Sequence, residues 1–194
     1  MNKKFAAIIV FGLTMTTCAS PAAGQDTKVI TYTQESASGN LVVSLQQQKI
    51  AQTKLELEMA RLQKIEDNKV LVTKAIKKLT SYTGKTWYVF SGSTPRGWDC
   101  SGMTLWFYEQ LGISLEHRAS VQDDAGTATN SPMPGDLVTF KYNNSKEAYH
   151  VGIYIGNGEM IHAPAVGQVT RIESVDSFAG NYSKVSYRNL ITTN

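Results

Sequence analysis

Cys100 is the residue whose type and position best suit nucleophilic chemistry. It follows Asp99 and precedes residues 103–111, where apolar side chains recur at helical spacing up to Gly112. This pattern predicts a helix that begins at Cys100 with Asp99 as its N-cap. Because a helix N-terminus carries partial positive charge and unpaired N–H groups, we expect the thiol pKa to be lowered toward a reactive thiolate. The alternative is a small buried apolar cysteine that only happens to begin a helix.

Two of the three histidines, His150 and His162, lie twelve positions apart on either side of a Gly-Asn-Gly turn at 156–158. This arrangement predicts a β-hairpin whose register brings His150 close to residues 162–164, within cross-strand or diagonal reach. A thiol nucleophile needs a base to accept its proton, and that base needs a partner for its second ring nitrogen. Cys100, His150 and His162 supply one residue for each role.

Two other interpretations of these three residues remain open. Zinc binds both cysteine and histidine, so the set could be a metal site, but the close Cys or His pairs of structural zinc sites are missing from the sequence. We therefore predict no metal and no cofactor. The domain could also be a binding module without activity. The third histidine, His117, lies in a polar turn, and we interpret it as a hydrogen-bonded surface residue.

The elements that must position these residues change in type along the chain. Helical patterns come first, and short strands separated by turns follow from residue 86 onward. A short helix is predicted near 119–125, and strands at 86–90, 137–142, 150–155, 159–163, 169–172 and 185–190. Helices followed by consecutive antiparallel strands predict an α+β fold with a mainly antiparallel sheet.

The first 24 residues have the composition of a cleaved signal peptide. Lys3 and Lys4 precede a short apolar segment, and small residues end just before Gln25. The apolar segment is too short to span a membrane, so we predict a secreted or envelope protein with no stable transmembrane segment in the mature chain. Cys18 leaves one alternative, anchoring as a lipoprotein, although the residues before it fit that signal poorly. Either way, the mature domain keeps a single unpaired cysteine.

The segment between the signal peptide and the predicted sheet divides into three parts. Residues 25–40 are rich in Thr, Ser, Gln and Gly and predict a flexible linker. Residues 41–66 have a near-heptad pattern and predict a helical spacer arm, with a dimerising coiled coil as the alternative. The apolar phase shifts near Ile65, which predicts a kink or a second helix at 69–80 docked on a catalytic domain of residues 67–194. The residues of the arm identify no partner.

Composition excludes some classes of function. The 194 residues are 42% hydrophobic and 18% charged, which is typical of a globular domain, and the formal net charge is +3. Removing Lys3 and Lys4 with the signal peptide leaves +1, since residues 1–24 contain no acidic residue. This small charge gives no support for binding nucleic acid.

Five short motifs in order resemble the NlpC-type cell-wall peptidases, which are papain-like cysteine endopeptidases of bacterial peptidoglycan. The motifs are WYVFSG at 87–92, DCSG at 99–102, PGDLV at 134–138, HVGIYIG at 150–156 and MIHA at 160–163. The resemblance covers roughly residues 70–190. It implies a papain-like α+β domain acting on peptidoglycan stem peptides at the γ-linked bond between D-glutamate and the diamino acid, diaminopimelate or lysine.

The resemblance also implies roles for individual residues. Cys100 would attack the carbonyl carbon, His150 would act as general base and then general acid, and His162 would orient the His150 ring. Tyr88 matches the tyrosine that lines the site near the developing oxyanion, and the backbone N–H of Cys100 would be a further donor.

Other matched positions concern the substrate. Asp99 and Ser101 match residues that line the substrate pocket, where a carboxylate suits the free amine of a trimmed stem peptide. Arg118 and Gln122 fit a further pattern of the family, either touching ligand or holding their helix.

Two functional alternatives accompany this interpretation. The first is a related cysteine hydrolase that acts as an amidase between muramic acid and L-alanine. The second is an inactive wall-binding or interaction protein in which the helical arm is the working part.

Overall fold

The computed structural model describes residues 34–191. Within this part of the chain the helices are α1 (Gln34–Thr80), α2 (Cys100–Glu109), α3 (Ala119–Asp123) and α4 (Val175–Ala179). The predicted signal peptide, Cys18 and residues 25–33 of the predicted linker lie outside the described residues. Across 34–191, every helix is too short or too polar to cross a membrane.

Most of the strands form one antiparallel sheet. In chain order the strands are β1 (Ser93–Thr94), β2 (Gly97–Trp98), β3 (Thr127–Thr129), β4 (Leu137–Tyr142), β5 (Ala148–Gly156), β6 (Glu159–His162), β7 (Arg171–Ser174) and β8 (Ser183–Asn189). A six-stranded sheet has the order β3-β8-β4-β5-β6-β7, with all its neighbours antiparallel. β1 and β2 form a separate two-stranded ribbon immediately before α2. This is the predicted α+β class.

Two apolar clusters fill the core. Side chains of β4 alternate between the two faces of the sheet, so this strand contributes residues to both clusters. Leu137 belongs to the larger cluster, whereas Val138 and Phe140 belong to the smaller one. The larger cluster packs α2 and the end of α1 against the sheet and includes Leu79, Trp98, Met103, Phe107, Tyr108, Val151, Ile153 and Ile161. The smaller cluster packs α4 against the sheet and includes Met160, Val175 and Ala179. Burial on both faces holds the central strands in one register.

Helix α1 is longer than the sequence patterns predict. It is continuous through residues 63–69, where a kink or break was expected, because this segment contains neither proline nor glycine. The predicted boundary at residue 66 therefore does not coincide with a helix end. The helix also includes residues 34–40, which were assigned to the flexible linker, since one glycine in this stretch does not prevent a helix. The apolar phase shift marks a change in environment, not a break.

The burial of side chains changes along α1. Large apolar residues between 41 and 65 are exposed, whereas Val72, Ala75 and Leu79 are buried, in line with the stripe predicted for residues 69–80. The described residues form two compact units, with the boundary between Lys49 and Ile50. The unit that contains the sheet thus includes the C-terminal part of α1.

Some local elements differ from the sequence-based expectation. Residues 86–90 do not form a continuous strand, and only isolated bridges involve Trp87 and Tyr88. Ser91 adopts a left-handed backbone conformation with φ 57°, which turns the chain directly after this segment. The short elements β1, β2, β3 and α4 were not predicted, because two to five residues are too few for a periodic signal.

Leu79→Ala tests whether the end of α1 belongs to the core. Leu79 is 0% exposed, so truncation should leave a cavity and lower the free energy of unfolding by about 2–5 kcal/mol. Leu57→Ala is the matched control on the same helix, because Leu57 is 72% exposed and its loss should cost less than about 0.5 kcal/mol. Urea midpoints measure both. Equal midpoints for the two variants would contradict docking of the C-terminal part of α1.

Candidate active site

Cys100 is the first residue of α2, where the sequence predicts it. Asp99 is the N-cap, with extended backbone, and its carboxylate accepts a hydrogen bond from the backbone N–H of Gly102 at 2.8 Å. The Asp99 N–H donates to the carbonyl oxygen of Gly92 at 3.1 Å, which ties the preceding loop to the helix start. A Cβ atom at Gly102 would collide with that same carbonyl oxygen. The DCSG motif thus needs glycine for a close approach of two backbone segments.

The carboxylate of Asp99 connects three parts of the site. Besides Gly102, its Oδ1 atom accepts from the Ser101 hydroxyl at 3.0 Å and lies 2.8 Å from Nε2 of His117. Its Oδ2 atom accepts from the backbone N–H of Ser91 at 2.9 Å. Burial raises the pKa of Asp99, but the hydrogen bonds from Gly102, His117 and Ser101 outweigh it, and the pKa is lowered. Asp99 is therefore a structural hub as well as a candidate contact for substrate.

His117 has a larger part in the site than the sequence indicates. Its side chain is 28% exposed, as a surface residue can be, yet it contacts the buried Asp99 carboxylate. The contact joins the start of α2 to the segment before α3, so no local sequence pattern could have predicted it. Ser101 is buried, and its hydroxyl is directed to Asp99.

Gln122 of α3 holds the helix start from the other side. The side chain is fully buried, and its Nε2 donates to the backbone oxygens of Ser101 and Glu116 at 2.9 and 2.8 Å. Its Oε1 accepts from the Thr104 hydroxyl at 2.6 Å. Gln122 thus supports the first turn of α2. Arg118, the N-cap residue of α3, is exposed and makes no capping side-chain hydrogen bond.

The environment of the sulfur reverses the predicted direction of its pKa. The pKa of Cys100 is raised to about 11, mainly by burial and secondly by the negative charge of Asp99. Hydrogen bonds from the backbone N–H groups of Val151, Ser101 and Cys100 itself lower it, but by less. The helix N-terminus is present as predicted, but desolvation and the neighbouring carboxylate outweigh it. The resting side chain is a neutral thiol that is 9% exposed.

The hairpin of β5 and β6 brings the two histidine rings together. Ile153 pairs with Ile161, so His150 and His162 are diagonal neighbours on one face of the sheet. Nε2 of His150 lies 2.8 Å from Nδ1 of His162, and the rings are perpendicular. Gly152 lies between them, and a Cβ atom there would be 3.3 Å from Cβ of His162. The same Cβ atom would be 3.0 Å from Sδ of Met160 and 3.1 Å from the carbonyl oxygen of Ile161, so glycine at this position permits the close approach of β6 to β5.

Aromatic side chains isolate the histidine pair from water. The ring centroid of Phe178 lies 4.6 Å from that of His150 and 4.8 Å from that of His162, and Phe140 packs on both His150 and Phe178. Burial lowers the pKa of His150 well below its usual value and lowers that of His162 to about 3, with a further contribution from the positive charge of Arg171. Both imidazoles are therefore neutral at neutral pH.

Glu173 and Arg171 extend the histidine pair, and the sequence analysis missed both. Nε2 of His162 lies 2.9 Å from Oε2 of Glu173. The same oxygen accepts from Nε and Nη2 of Arg171 at 3.0 and 2.7 Å. The alternation of residues 171 and 173 along β7 places both on one face, but only the pairing of β7 with β6 shows that they meet a histidine.

Tyr88 packs against the apolar cluster that contains Cys100. Burial raises the pKa of its hydroxyl, and the nearby Cys100 and Asp99 raise it further. The side chain is only partly buried, so it borders the site from the solvent side.

Between residues 34 and 191, there is no group of three or more His, Cys, Asp and Glu side chains arranged to hold a metal ion.

The pKa of Cys100 predicts a characteristic pH dependence of alkylation. Because a thiol pKa of about 11 leaves little thiolate at neutral pH, reaction with iodoacetamide should be slower at pH 7 than for an ordinary cysteine of pKa about 8.5. The rate should keep rising above pH 9. Cys100→Ala is the control, since any remaining label then reports Cys18, the other cysteine of the chain. A rate that levels off below pH 8 would contradict the buried neutral thiol.

Asp99→Ala should destabilise the fold in a pH-dependent manner. Loss of the cap should cost about 1–2 kcal/mol of unfolding free energy at pH 7. Because the folded pKa is depressed, the stabilisation by Asp99 is present above the unfolded pKa of about 3.9 and is lost as pH falls through the folded pKa. The difference in urea midpoint from wild type should therefore shrink in acid. Asp124→Ala, at an exposed aspartate, is the control; a pH-independent difference would argue against the charged cap.

Comparison with characterised proteins places this geometry in a family. Residues 84–191 match the model of the NlpC/P60 family. A probable endopeptidase of Mycobacterium tuberculosis is 36% identical over 102 residues, which are 52% of this chain and 26% of the relative. The murein DD-endopeptidase MepH of Escherichia coli is 35% identical over 124 residues, which are 61% of this chain and 45% of MepH. The chain thus spans less than half the length of these relatives.

Solved structures agree with the sequence comparison. The NlpC/p60 domain of the peptidoglycan hydrolase SagA superposes with a TM-score of 0.53 at 31% identity, covering 61% of this chain and 98% of that domain. An NlpC/P60 family protein from Bacillus cereus superposes with a TM-score of 0.56 at 27% identity, covering 62% of this chain and 40% of that protein. These neighbours confirm the α+β fold. The family model matches residues 84–191, more than half of this chain, which shows that the chain belongs to the NlpC/P60 family.

Proposed function

We propose that this protein is a peptidoglycan hydrolase of the cell envelope, a cysteine endopeptidase that cleaves the D-γ-glutamyl–diamino acid bond of stem peptides. The observation that carries the proposal is the buried, hydrogen-bonded pair of His150 and His162. His150 lies on β5, the strand whose Val151 N–H donates to the Cys100 sulfur. A neutral imidazole with an oriented second nitrogen is what a thiol nucleophile needs as a base.

The geometry supports a defined path for the proton. Nε2 of His150 is hydrogen-bonded to His162, so Nδ1 of His150 is the ring nitrogen left to accept a proton from the Cys100 thiol. The backbone N–H of Val151, the residue after His150, donates to the sulfur and favours the thiolate as it forms. Since thiol and imidazole are both neutral at rest, proton transfer accompanies attack, and His150 acts as a general base.

The remaining steps follow from the same groups. The sulfur forms a bond to the carbonyl carbon, and the carbonyl oxygen becomes an oxyanion near the hydroxyl of Tyr88 and the backbone N–H of Cys100. The imidazolium of His150 then gives its proton to the departing amine, and the C–N bond breaks. Water activated by neutral His150 hydrolyses the thioester and restores the free thiol.

Asp99 and Ser101 are the proposed contacts for substrate, with a restriction set by the structure. Oδ1 of Asp99 already has three hydrogen-bond partners, whereas Oδ2 has one, the backbone N–H of Ser91. A carboxylate oxygen can accept more than one bond, so Oδ2 is the atom that would take the free amine of a trimmed stem peptide. The Ser101 hydroxyl donates to Asp99 and would act through it.

The relatives favour an endopeptidase and suggest a second bond. MepH is named a murein DD-endopeptidase, and the M. tuberculosis relative a probable endopeptidase. A bond between two D-amino acids of peptidoglycan is therefore the second candidate. Both activities place the protein in the cell envelope, where peptidoglycan lies, in keeping with the signal peptide that the sequence predicts.

Digestion of purified muropeptides tests the reaction and the bond together. Mass spectrometry should show products cut between D-glutamate and the diamino acid. Products cut at a D,D-bond or between muramic acid and L-alanine would instead assign the second candidate or the amidase. No product from any substrate would contradict a hydrolase and favour a wall-binding role.

Variants then test the proposed residues. Cys100→Ala and His150→Ala should each lower kcat/KM by roughly 1,000-fold or more, because each removes a member of one catalytic unit. Lys146→Ala, in an exposed loop between β4 and β5, is the control and should leave turnover unchanged. Turnover by Cys100→Ala equal to wild type would exclude the thiol as nucleophile.

A further inference from the structure

The hydrogen-bonded network behind the site extends beyond Cys100, His150 and His162 to two further residues, Glu173 and Arg171. It runs from His150 to His162 at 2.8 Å, from His162 to Glu173 at 2.9 Å, and from Glu173 to Arg171 at 2.7 Å. His162 is fully buried, whereas the side chain of Glu173 is one-quarter exposed. The hydrogen-bonded network thus leads from the buried His150 to the protein surface, across the neighbouring strands β5, β6 and β7.

Each hydrogen bond in this chain has a direction that chemistry fixes. A carboxylate paired with arginine only accepts, so Nε2 of His162 carries the hydrogen shared with Glu173. A neutral imidazole has one N–H, so Nδ1 of His162 is then a bare acceptor. The hydrogen in the bond between the rings must therefore lie on Nε2 of His150, and Nδ1 of His150 is left bare.

Arg171 keeps Glu173 from changing this arrangement. A lone carboxylate beside His162 would favour an imidazolium, whose second N–H would point at His150 and reverse the bond between the rings. Arg171 donates to the same carboxylate oxygen that faces His162, and its Nη1 donates to Oε1 of Gln168 at 2.6 Å, which holds the guanidinium in place. Because Arg171 compensates its negative charge, the Glu173 carboxylate acts on His162 mainly as a hydrogen-bond acceptor.

We propose that Glu173 is a positioning residue, which fixes the tautomers of His162 and His150 so that the base nitrogen Nδ1 of His150 is unprotonated in the resting protein. This role rests on the proposed function, because it matters for turnover only if His150 is the base. Without an acceptor at position 173, His162 can hold its hydrogen on either nitrogen. In one of the two tautomers, Nδ1 of His162 donates to His150, whose only N–H is then at Nδ1, where it blocks proton transfer from the thiol.

Nitrogen NMR of the histidine rings tests the tautomers without any substrate. Ring nitrogens that carry hydrogen and those that do not have well-separated chemical shifts. In the wild-type protein, Nε2 should carry the hydrogen in both His150 and His162. In Glu173→Ala, both rings should shift toward a mixture of tautomers, whereas Glu173→Gln should keep the wild-type pattern, since its amide oxygen can still accept. Unchanged nitrogen shifts in Glu173→Ala would overturn the proposal.

Steady-state kinetics on the bond identified in the muropeptide digest provides the second measurement. Loss of the carboxylate that orients a metal-binding histidine typically costs 10- to 100-fold, and Glu173 orients His162 in the same way. Glu173→Ala should therefore lower kcat by roughly that factor with little change in KM. Glu173→Gln should restore most of kcat. Glu159→Gln, at an exposed glutamate of β6, is the matched control and should equal wild type. A kcat of Glu173→Ala equal to that of Glu159→Gln would overturn the proposal.

The two measurements separate this proposal from the proposed function. If the wild-type protein cleaves no muropeptide but its histidine shifts respond to Glu173→Ala, the positioning role stands and the hydrolase fails. If the protein is active and its shifts do not respond, the hydrolase stands and the positioning role fails. Urea midpoints of the Glu173 variants exclude unfolding as the cause, because a tautomer shift at unchanged stability cannot come from loss of structure.

Discussion

The hydrogen bond between the His150 and His162 rings is the interaction on which the site depends. Two imidazoles at 2.8 Å, walled by Phe140 and Phe178, can share only one hydrogen while both are neutral. Burial keeps them neutral by lowering both pKa values. The register of β5 against β6 sets this contact, because it makes His150 and His162 diagonal neighbours on one face of the sheet.

The helix that carries Cys100 is held as firmly as the histidines. Asp99 ties the loop before the helix, the first turn of α2 and His117 to one carboxylate, while Gln122 supports the same turn from α3. These bonds fix the sulfur against β5. They also compensate the negative charge of the Asp99 carboxylate, which is why it can be buried. Asp99 therefore contributes to stability as well as to the proposed substrate contact.

The charge state of the site follows from burial more than from the helix dipole. A lone thiol at a helix N-terminus would have a lowered pKa, but the desolvated sulfur beside Asp99 has a raised one. The histidines are neutral for the same reason. The proposed nucleophile and the proposed base therefore start uncharged. In the proposed reaction, charge would develop only as substrate is attacked, near Tyr88 and the backbone N–H groups at the start of α2.

The sequence by itself determined the local features, because they depend on neighbouring residues. It predicted the helix start at Cys100 with Asp99 as cap, strand β4, and the hairpin that carries both histidines. The tertiary structure decided what arises between distant segments: the Asp99–His117 contact, the Glu173–Arg171 extension and the raised thiol pKa. Long-range pairing and desolvation set these features, and neither leaves a periodic trace along the chain.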